Sequence, residues 1–336
     1  MTTSRRQFLQ ACGMLGLGAA VTGVPAVASA SRVGDEYKVQ ETRFMMGTVV
    51  TITALHPSKQ LGQEAIGRSF EEITRLEALL SRYQSDSPVS VLNRDGRVSG
   101  IPQELAEVVR SARLISKLSD KAFDVTIKPV VDLYNEKANL NGEMVLSKAE
   151  FEEALSLVDA DSLIQKRDSI RLNREGMGVT LDGIAKGYIV DKASAVLAAY
   201  GAKNHMINAG GDIRTMGEKA GSKPWVVAVQ DPEKKGNYPA VIQMTTGALA
   251  TSGGYEVFYD KNHMYHHLVS PQSGMSPNNV ASVSVMAPSV MEADALATAA
   301  FIMQSRRGLQ FIESLSGREA LFVTKDGMKM STPQFG

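Results

Sequence analysis

Thr48-Val49-Val50-Thr51-Ile52-Thr53-Ala54-Leu55 is dominated by β-branched residues, and Ile66, Phe70, Ile73, Leu76 and Leu80 follow it at helical spacing. The first run reads as a strand, the second as the apolar stripe of an amphipathic helix. Further along, Leu105, Val108, Val109, Ala112, Ile115 and Leu118 predict a second helix. Ser147-Lys148-Ala149-Glu150 carries the Ser and Glu of a capping box for a third. Strand-like runs then recur at 169–172, 179–181, 225–229, 240–245, 281–286 and 320–324. Two long helical runs interrupt them: one follows Gly183 and ends near Gly201, a C-terminal cap, and the other covers roughly 291–303. Strands and helices mix without a strict βαβ rhythm, so the fold class expected is α+β. With no internal repeat, low-complexity tract or long linker, one compact unit is the simplest organisation. Two lobes, or on length alone two domains, are the alternatives.

Composition narrows the function classes. At 336 residues with 43% apolar content, the chain can bury a substantial core. Basic and acidic residues balance at 36 each, so no electrostatic footprint points to nucleic acid or to an acidic membrane surface. The N-terminus is distinct: Ser4-Arg5-Arg6-Gln7-Phe8-Leu9 precedes an uncharged, weakly apolar run that ends in Ala28-Ser29-Ala30. This pattern reads as a twin-arginine signal over residues 1–30, with a mature domain over 31–336. A membrane anchor is the competing reading, but the Gly- and Ala-rich run 11–24 is shorter than the ~20 residues a spanning helix needs. The single cysteine, Cys12, lies at the start of that run rather than after it, unlike a lipoprotein cysteine. Its loss with the signal excludes disulfides, thiol catalysis and cysteine metal sites from the mature chain. The expected location is periplasmic or extracytoplasmic, at most membrane-associated, with no integral membrane segment left after processing.

Four segments have the make-up of a reactive site. In Asp182-Gly183-Ile184-Ala185-Lys186-Gly187-Tyr188 a strand gives way to a helix through two glycines. Such a junction offers backbone N–H groups and the positive end of a helix dipole to an anion. Lys186 could add charge for a phosphate and a turn carbonyl could face a hard cation; an ordinary glycine turn is the alternative. The spacing is not that of a Walker A loop. Asn208-Ala209-Gly210-Gly211-Asp212-Ile213 lets backbone approach a ligand closely, or simply turns a hairpin. In Glu292-Ala293-Asp294-Ala295-Leu296-Ala297-Thr298-Ala299, Asp294 and Thr298 share one helical face, a carboxylate and a hydroxyl suited to Mg²⁺. A helix-start Asp and a surface Thr would explain the pair more simply, but an Asp amid apolar neighbours needs a partner. The fourth segment couples Thr251-Ser252-Gly253-Gly254-Tyr255 to Tyr265-His266-His267-Leu268-Val269-Ser270-Pro271. Read as a strand, the two histidines point to opposite faces, so one at most meets any given site.

In this order the segments resemble the FAD:protein FMN transferase family, also called the ApbE or flavin transferase family. The resemblance runs from about Met46 to Phe301. Besides those four segments it is carried by Met46-Gly47-Thr48, Leu80-Ser81-Arg82-Tyr83, Ser90-Val91-Leu92-Asn93 and Ala122-Phe123-Asp124-Val125-Thr126 with Pro129. It implies a reaction in which FAD and a protein Ser or Thr hydroxyl give AMP and a protein bearing FMN through a phosphoester, with Mg²⁺ required. The implied acceptors are flavoprotein subunits of membrane redox complexes. It implies that the metal is held by the Ala185 carbonyl, Asp294 and Thr298. FAD contacts are implied around Met46, Tyr83, Ala122, Phe123, Asp124, Asp182, Lys186, Tyr188 and Leu268. His267 is the candidate for handling the proton of the incoming hydroxyl, with Asp124 as the rival base. Two positions depart from the family pattern: Ser270 stands where an aspartate is frequent, and Gly254 where Asp or Asn is common. A Mg²⁺-dependent FAD pyrophosphatase giving FMN and AMP is the nearest alternative, since water need only replace the hydroxyl. A non-catalytic flavin-binding protein would not need the Asp294–Thr298 pair, and a flavin oxidoreductase would be expected to show the missing GxGxxG fingerprint.

Overall fold

The computed structural model describes residues 27–138, 143–233, 235 and 237–336. Arg5-Arg6, Cys12 and most of the expected leader lie outside the described residues. The strands are β1 (Val27–Val33), β2 (Glu36–Met45), β3 (Thr48–His56), β4 (Arg97–Ser99), β5 (Leu163–Gln165), β6 (Ser169–Leu172), β7 (Asn204–Ala209), β8 (Asp212–Met216), β9 (Trp225–Ala228), β10 (Val241–Met244), β11 (Gly247–Gly253), β12 (Val280–Ala287), β13 (Glu319–Thr324) and β14 (Lys329–Ser331). The helices are α1 (Lys59–Leu80), α2 (Pro88–Asp95), α3 (Gln103–Leu118), α4 (Lys128–Lys137), α5 (Lys148–Ser156), α6 (Ala185–Ala199) and α7 (Val290–Glu313).

Nine strands form one sheet in the order β1-β2-β3-β7-β8-β11-β12-β13-β14. Every neighbouring pair in it is antiparallel. The α+β expectation therefore holds, since parallel βαβ units would have produced parallel neighbours. The long helices α1, α6 and α7 cover one face, where Val50, Ile52, Ile207, Val283 and Val285 of the sheet meet Ile66, Phe70, Ile189, Ala193 and Ala297. The opposite face at β8, β11 and β13 is closed by the β9–β10 ribbon, with Val227, Ile242 and Met244 packed on Ile213, Leu249 and Leu321. The small sheet β4-β6-β5 joins the same main core through Leu163, Ile170 and Leu172.

Four local readings change. Residues 179–181 belong to no strand ladder, and a side chain takes the bonds a partner strand would supply at Val179. Asn93 Nδ2 donates to the Val179 carbonyl at 2.9 Å and Asn93 Oδ1 accepts the Val179 N–H at 2.6 Å. The helix expected to end near residue 303 runs on to Glu313 across a break at Gln304, where φ is +62°. The histidine segment is a loop rather than a strand: an isolated bridge pairs His266 with Phe258, and the Tyr259 and His267 N–H groups donate to the Tyr265 and Val257 carbonyls. The polar stretch before Thr48 forms β1 and β2. Val39 is the one fully buried residue within β2, so no period-2 apolar signal marks that strand. β1 pairs with β2 from Val27↔Thr42 to Val33↔Glu36, which places Ala28-Ser29-Ala30 in an edge strand.

Candidate active site

The turns of two hairpins and the start of α6 meet at one end of the sheet. Met46 and Gly47 turn β2 into β3 with φ of +51° and +69°, and Gly210 and Gly211 turn β7 into β8 with +63° and +98°. Positive φ at both central residues is the backbone of a tight hairpin turn whose twist matches the strands it joins. A Cβ on Gly210 would lie 2.2 Å from Thr48 Oγ1, so the two turns are packed directly together. The hairpin reading of 208–212 was thus right, and the same turn delivers Asp212 to the site. Asp212 is 1% exposed, and Lys186 Nζ lies 3.3 Å from its Oδ2.

Lys186 lies in the first turn of α6, and the junction 182–187 that leads into that helix bridges to α7 at two places. The Gly187 N–H donates to Asp294 Oδ2 at 3.2 Å. A Cβ on Gly183 would meet Thr298 Oγ1 at 3.2 Å and the Phe123 ring at 3.3 Å. Asp294 and Thr298 therefore share one face of α7, as their spacing predicted, and both meet the junction that opens α6. Thr298 Oγ1 is also 3.1 Å from Ser252 Oγ on β11. The contact at Gly187 is closer still. A Cβ there would be 2.4 Å from the Val290 carbonyl oxygen, so α6 and α7 touch backbone to backbone.

Electrostatics single out Asp294. Burial pushes its carboxyl well above the ordinary range, the Asp212 charge pushes it further, and Lys186 and the Gly187 N–H pull back. Asp212 is raised by burial as well, against the pull of Lys186. Among the described residues no three His, Cys, Asp or Glu side chains converge to hold a metal ion. The expected metal site asks for less: one carboxylate, one hydroxyl and one backbone carbonyl. Asp294 and Thr298 line the loop that carries Ala185, and a hard cation would relieve the charge that burial makes unfavourable on Asp294. The donors present fit Mg²⁺.

Arg82 and Tyr83 form the rim. Arg82 Nε donates to Asp182 Oδ2 at 3.0 Å, Nη1 to Asp132 Oδ1 at 3.4 Å and Nη2 to the Tyr83 hydroxyl at 2.7 Å. Tyr83 is 75% exposed, and its hydroxyl donates toward Asp182 Oδ2 at 3.3 Å. Beyond the Ser252–Thr298 contact, His266 is fully buried with its edge on Phe301, three residues past Thr298. Its Nε2 is 2.8 Å from the Pro277 carbonyl and its Nδ1 accepts the Leu268 N–H at 3.3 Å. These bonds occupy both ring nitrogens of His266, while the neighbouring His267 is partly exposed. Leu268, 8% exposed, packs into the main core. Both departures from the family pattern have local reasons. A Cβ on Gly254 would meet His266 Nε2 and Phe301 at 3.2 Å. Ser270 caps its turn, accepting the Gly274 N–H at 2.7 Å through its carbonyl and the Ser273 N–H at 3.3 Å through its hydroxyl.

Two expected contacts are redirected. Both Asp124 oxygens serve the backbone: Oδ1 accepts from Thr126 N and Oγ1, and Oδ2 from Ala160 N at 2.9 Å. A carboxylate 6% exposed and triply bonded anchors a turn, with Ala122 and Phe123 buried behind it, and is poorly placed to take a substrate proton. Tyr188 lies two residues beyond Lys186, about 200° around the helix. It turns its hydroxyl to Glu107 of α3 at 2.7 Å and is 3% exposed, so it packs α6 rather than facing the Asp294 cluster. Sequence reasoning assigned no role to Arg82, Asp212, Asn93 or Ser252. All four stand in quoted motifs, but their partners are distant in the chain.

The profile of the ApbE family matches residues 46–322. The FAD:protein FMN transferase of Haemophilus influenzae is 28% identical over 325 residues, covering 91% of this chain and 93% of that protein. The one from Vibrio cholerae is 29% identical over 295 residues, covering 84% and 87%. Among solved structures, flavin transferase ApbE from Vibrio cholerae superposes with a TM-score of 0.76 at 26% identity, covering 93% of this chain and 99% of that one. The ApbE protein of Thermotoga maritima gives 0.79 at 28% identity, covering 89% and 97%.

Proposed function

This chain belongs to the ApbE family, and from that premise we propose that it moves the FMN part of FAD onto a Ser or Thr hydroxyl of an acceptor protein, releasing AMP. It is a transferase enzyme, and flavin transfer is the activity in its relatives' names. The observation that carries the finer reading is the position of Asp294 and Thr298, one helical turn apart, against the 183–187 loop at the start of α6.

In this reading the pyrophosphate of FAD lies at the N-terminal end of α6, where backbone N–H groups and the helix dipole favour negative charge. Lys186 leans from Asp212 toward it. The Ala185 carbonyl, Asp294 and Thr298 would hold Mg²⁺, which when bound would neutralise phosphate charge. The acceptor oxygen bonds to the flavin-side phosphorus, the bond from that phosphorus to the bridging oxygen breaks, and AMP leaves with the electron pair. His267 takes the hydroxyl proton. The chain's work is alignment and charge stabilisation, as phosphoryl transfer demands.

The Arg5-Arg6 motif supports export by the twin-arginine route, which restricts acceptors to flavoprotein subunits exposed beyond the cytoplasmic membrane. Among the described residues no helix is long and apolar enough to cross a membrane. The test is mass spectrometry of an acceptor domain incubated with protein, FAD and Mg²⁺, with and without chelator. A chelator-sensitive gain of one FMN mass with AMP release supports the proposal. AMP and free FMN beside an unlabelled acceptor would replace it with the pyrophosphatase reading.

A further inference from the structure

Tyr83 combines two properties that seldom coexist, since three-quarters of it is open to solvent and yet both its hydroxyl and its ring are engaged by a neighbour. Its hydroxyl receives the Arg82 Nη2 proton at 2.7 Å and lies 3.3 Å from Asp182 Oδ2. The Arg82 guanidinium also sits 4.5 Å from the centre of its ring. An exposed tyrosine ordinarily samples several rotamers, and ordering it on binding weakens affinity.

Arg82 is itself fixed. Only 10% of its side chain is exposed, and its planar fork spans Asp182, Asp132 and Tyr83 at once. Asp132 is held from behind by Lys128. One end of this chain of charges is Lys128, on the wall of a cavity between α2, α4 and the 172–178 loop. The other end is Asp182, which opens the loop carrying Lys186 and Gly187. The guanidinium thus ties an aromatic ring to the phosphate-facing loop through one rigid group, a geometry that a flexible lysine does not reproduce.

We propose that Arg82 is a positioning residue. It holds Tyr83 as a preformed stacking platform for a planar ring of the flavin dinucleotide, with Asp182 and Asp132 anchoring the guanidinium. The inference rests on the flavin reading of the site but concerns binding and alignment rather than the transfer step. A stacked ring pair is worth up to about tenfold in affinity.

The experiment compares the wild type, Arg82→Met, Arg82→Lys, Tyr83→Ala and the Arg82→Met/Tyr83→Ala double variant. FAD binding is followed by flavin fluorescence without an acceptor, and KM and kcat are measured with one. Arg82→Met is expected to weaken FAD binding about tenfold and raise KM alike, with kcat changed less than threefold. Arg82→Lys, which keeps the charge but not the fork, is expected to fall close to it. In the Tyr83→Ala background, Arg82→Met should weaken FAD binding by less than threefold. Titrating FMN and AMP separately identifies the stacked ring, because only that half should lose affinity in Arg82→Met. Full additivity in the double variant, or unchanged binding of FAD and both halves in Arg82→Met, overturns the proposal. A wild type that binds FAD in this pattern without labelling any acceptor defeats the transferase reading and leaves the role of Arg82 standing. A wild type that binds no FAD defeats both.

Discussion

Replacing Gly187 by alanine sets a Cβ 2.4 Å from the Val290 oxygen, 2.6 Å from the Val290 carbonyl carbon and 2.8 Å from Met291 Cα. Carbon atoms in contact rest at about 3.5–4.0 Å, so α6 and α7 must part by roughly 1 Å. No side chain can swing aside, because every atom met is backbone. Overpacking of this kind costs about 1–3 kcal/mol, or a fall in melting temperature of several degrees at roughly 2–4 °C per kcal/mol. Activity should suffer more. The Gly187 N–H is bonded to Asp294, and Ala185 and Lys186 precede it, so parting the helices displaces the loop from Asp294 and Thr298. A displacement of about 1 Å in aligned reacting groups is worth about a hundredfold in rate. The assay is FMN transfer at saturating FAD and Mg²⁺ alongside thermal unfolding. Gly67→Ala on α1 serves as the control, since a Cβ there meets nothing within 4 Å. It should stabilise by about 0.5–1 kcal/mol without loss of activity. Wild-type rates and stability in Gly187→Ala would refute the close approach of the two helices as the element that sets the site.

Asp294→Asn keeps an acceptor for the Gly187 N–H but removes a charge that burial and Asp212 disfavour. A carboxyl raised in the folded state costs stability once the unfolded chain is ionised, so at neutral pH the metal-free variant should melt above the metal-free wild type. Mg²⁺ at 100 times its Kd should stabilise the wild type by about 2.7 kcal/mol and the variant not at all; equal Mg²⁺ shifts in both would remove Asp294 from the metal site. His267→Ala should lower kcat by about 10²–10⁴-fold with FAD binding retained, and near-normal transfer would end its assignment as the base. His205, fully buried between Ser194 and the Ala202 carbonyl, is pulled by burial from 6.5 to about 4. The unfolded chain binds the extra proton first, so stability is complete above pH 6.5 and is lost between 6.5 and 4, by about 3 kcal/mol in all. Urea unfolding at pH 7 and pH 4.5 reads this, and a His205→Gln variant with the same pH slope as the wild type would show that the loss arises elsewhere.

Several elements were legible because their signal is local. The stripe from Ile66 to Leu80 became α1, the capping box at Ser147 and Glu150 was found with both halves formed, and Asp294 and Thr298 lie on one face of α7. Local patterns misled where a distant group decided the outcome. Residues 179–181 have the composition of a strand, but Asn93, 86 positions earlier, occupies the edge a neighbouring strand would use. β2 escaped notice because its residues are largely half-buried, with polar side chains on both faces. Asp124 and Tyr188 stand in motif positions, yet their oxygens are claimed by Ala160 and Glu107, choices no spacing reveals.

By itself the sequence determined the α+β class, the helix faces and the pairing of a carboxylate with a hydroxyl, since 3.6-residue and two-residue periods act between near neighbours. The tertiary structure alone decided that two hairpin turns, the start of α6 and one face of α7 meet at one end of an antiparallel sheet. It also decided that Asp212 and Arg82 complete the site there. The reason is physical: those contacts join residues far apart in the chain, each held by burial and charge that exist only once the sheet has closed around them.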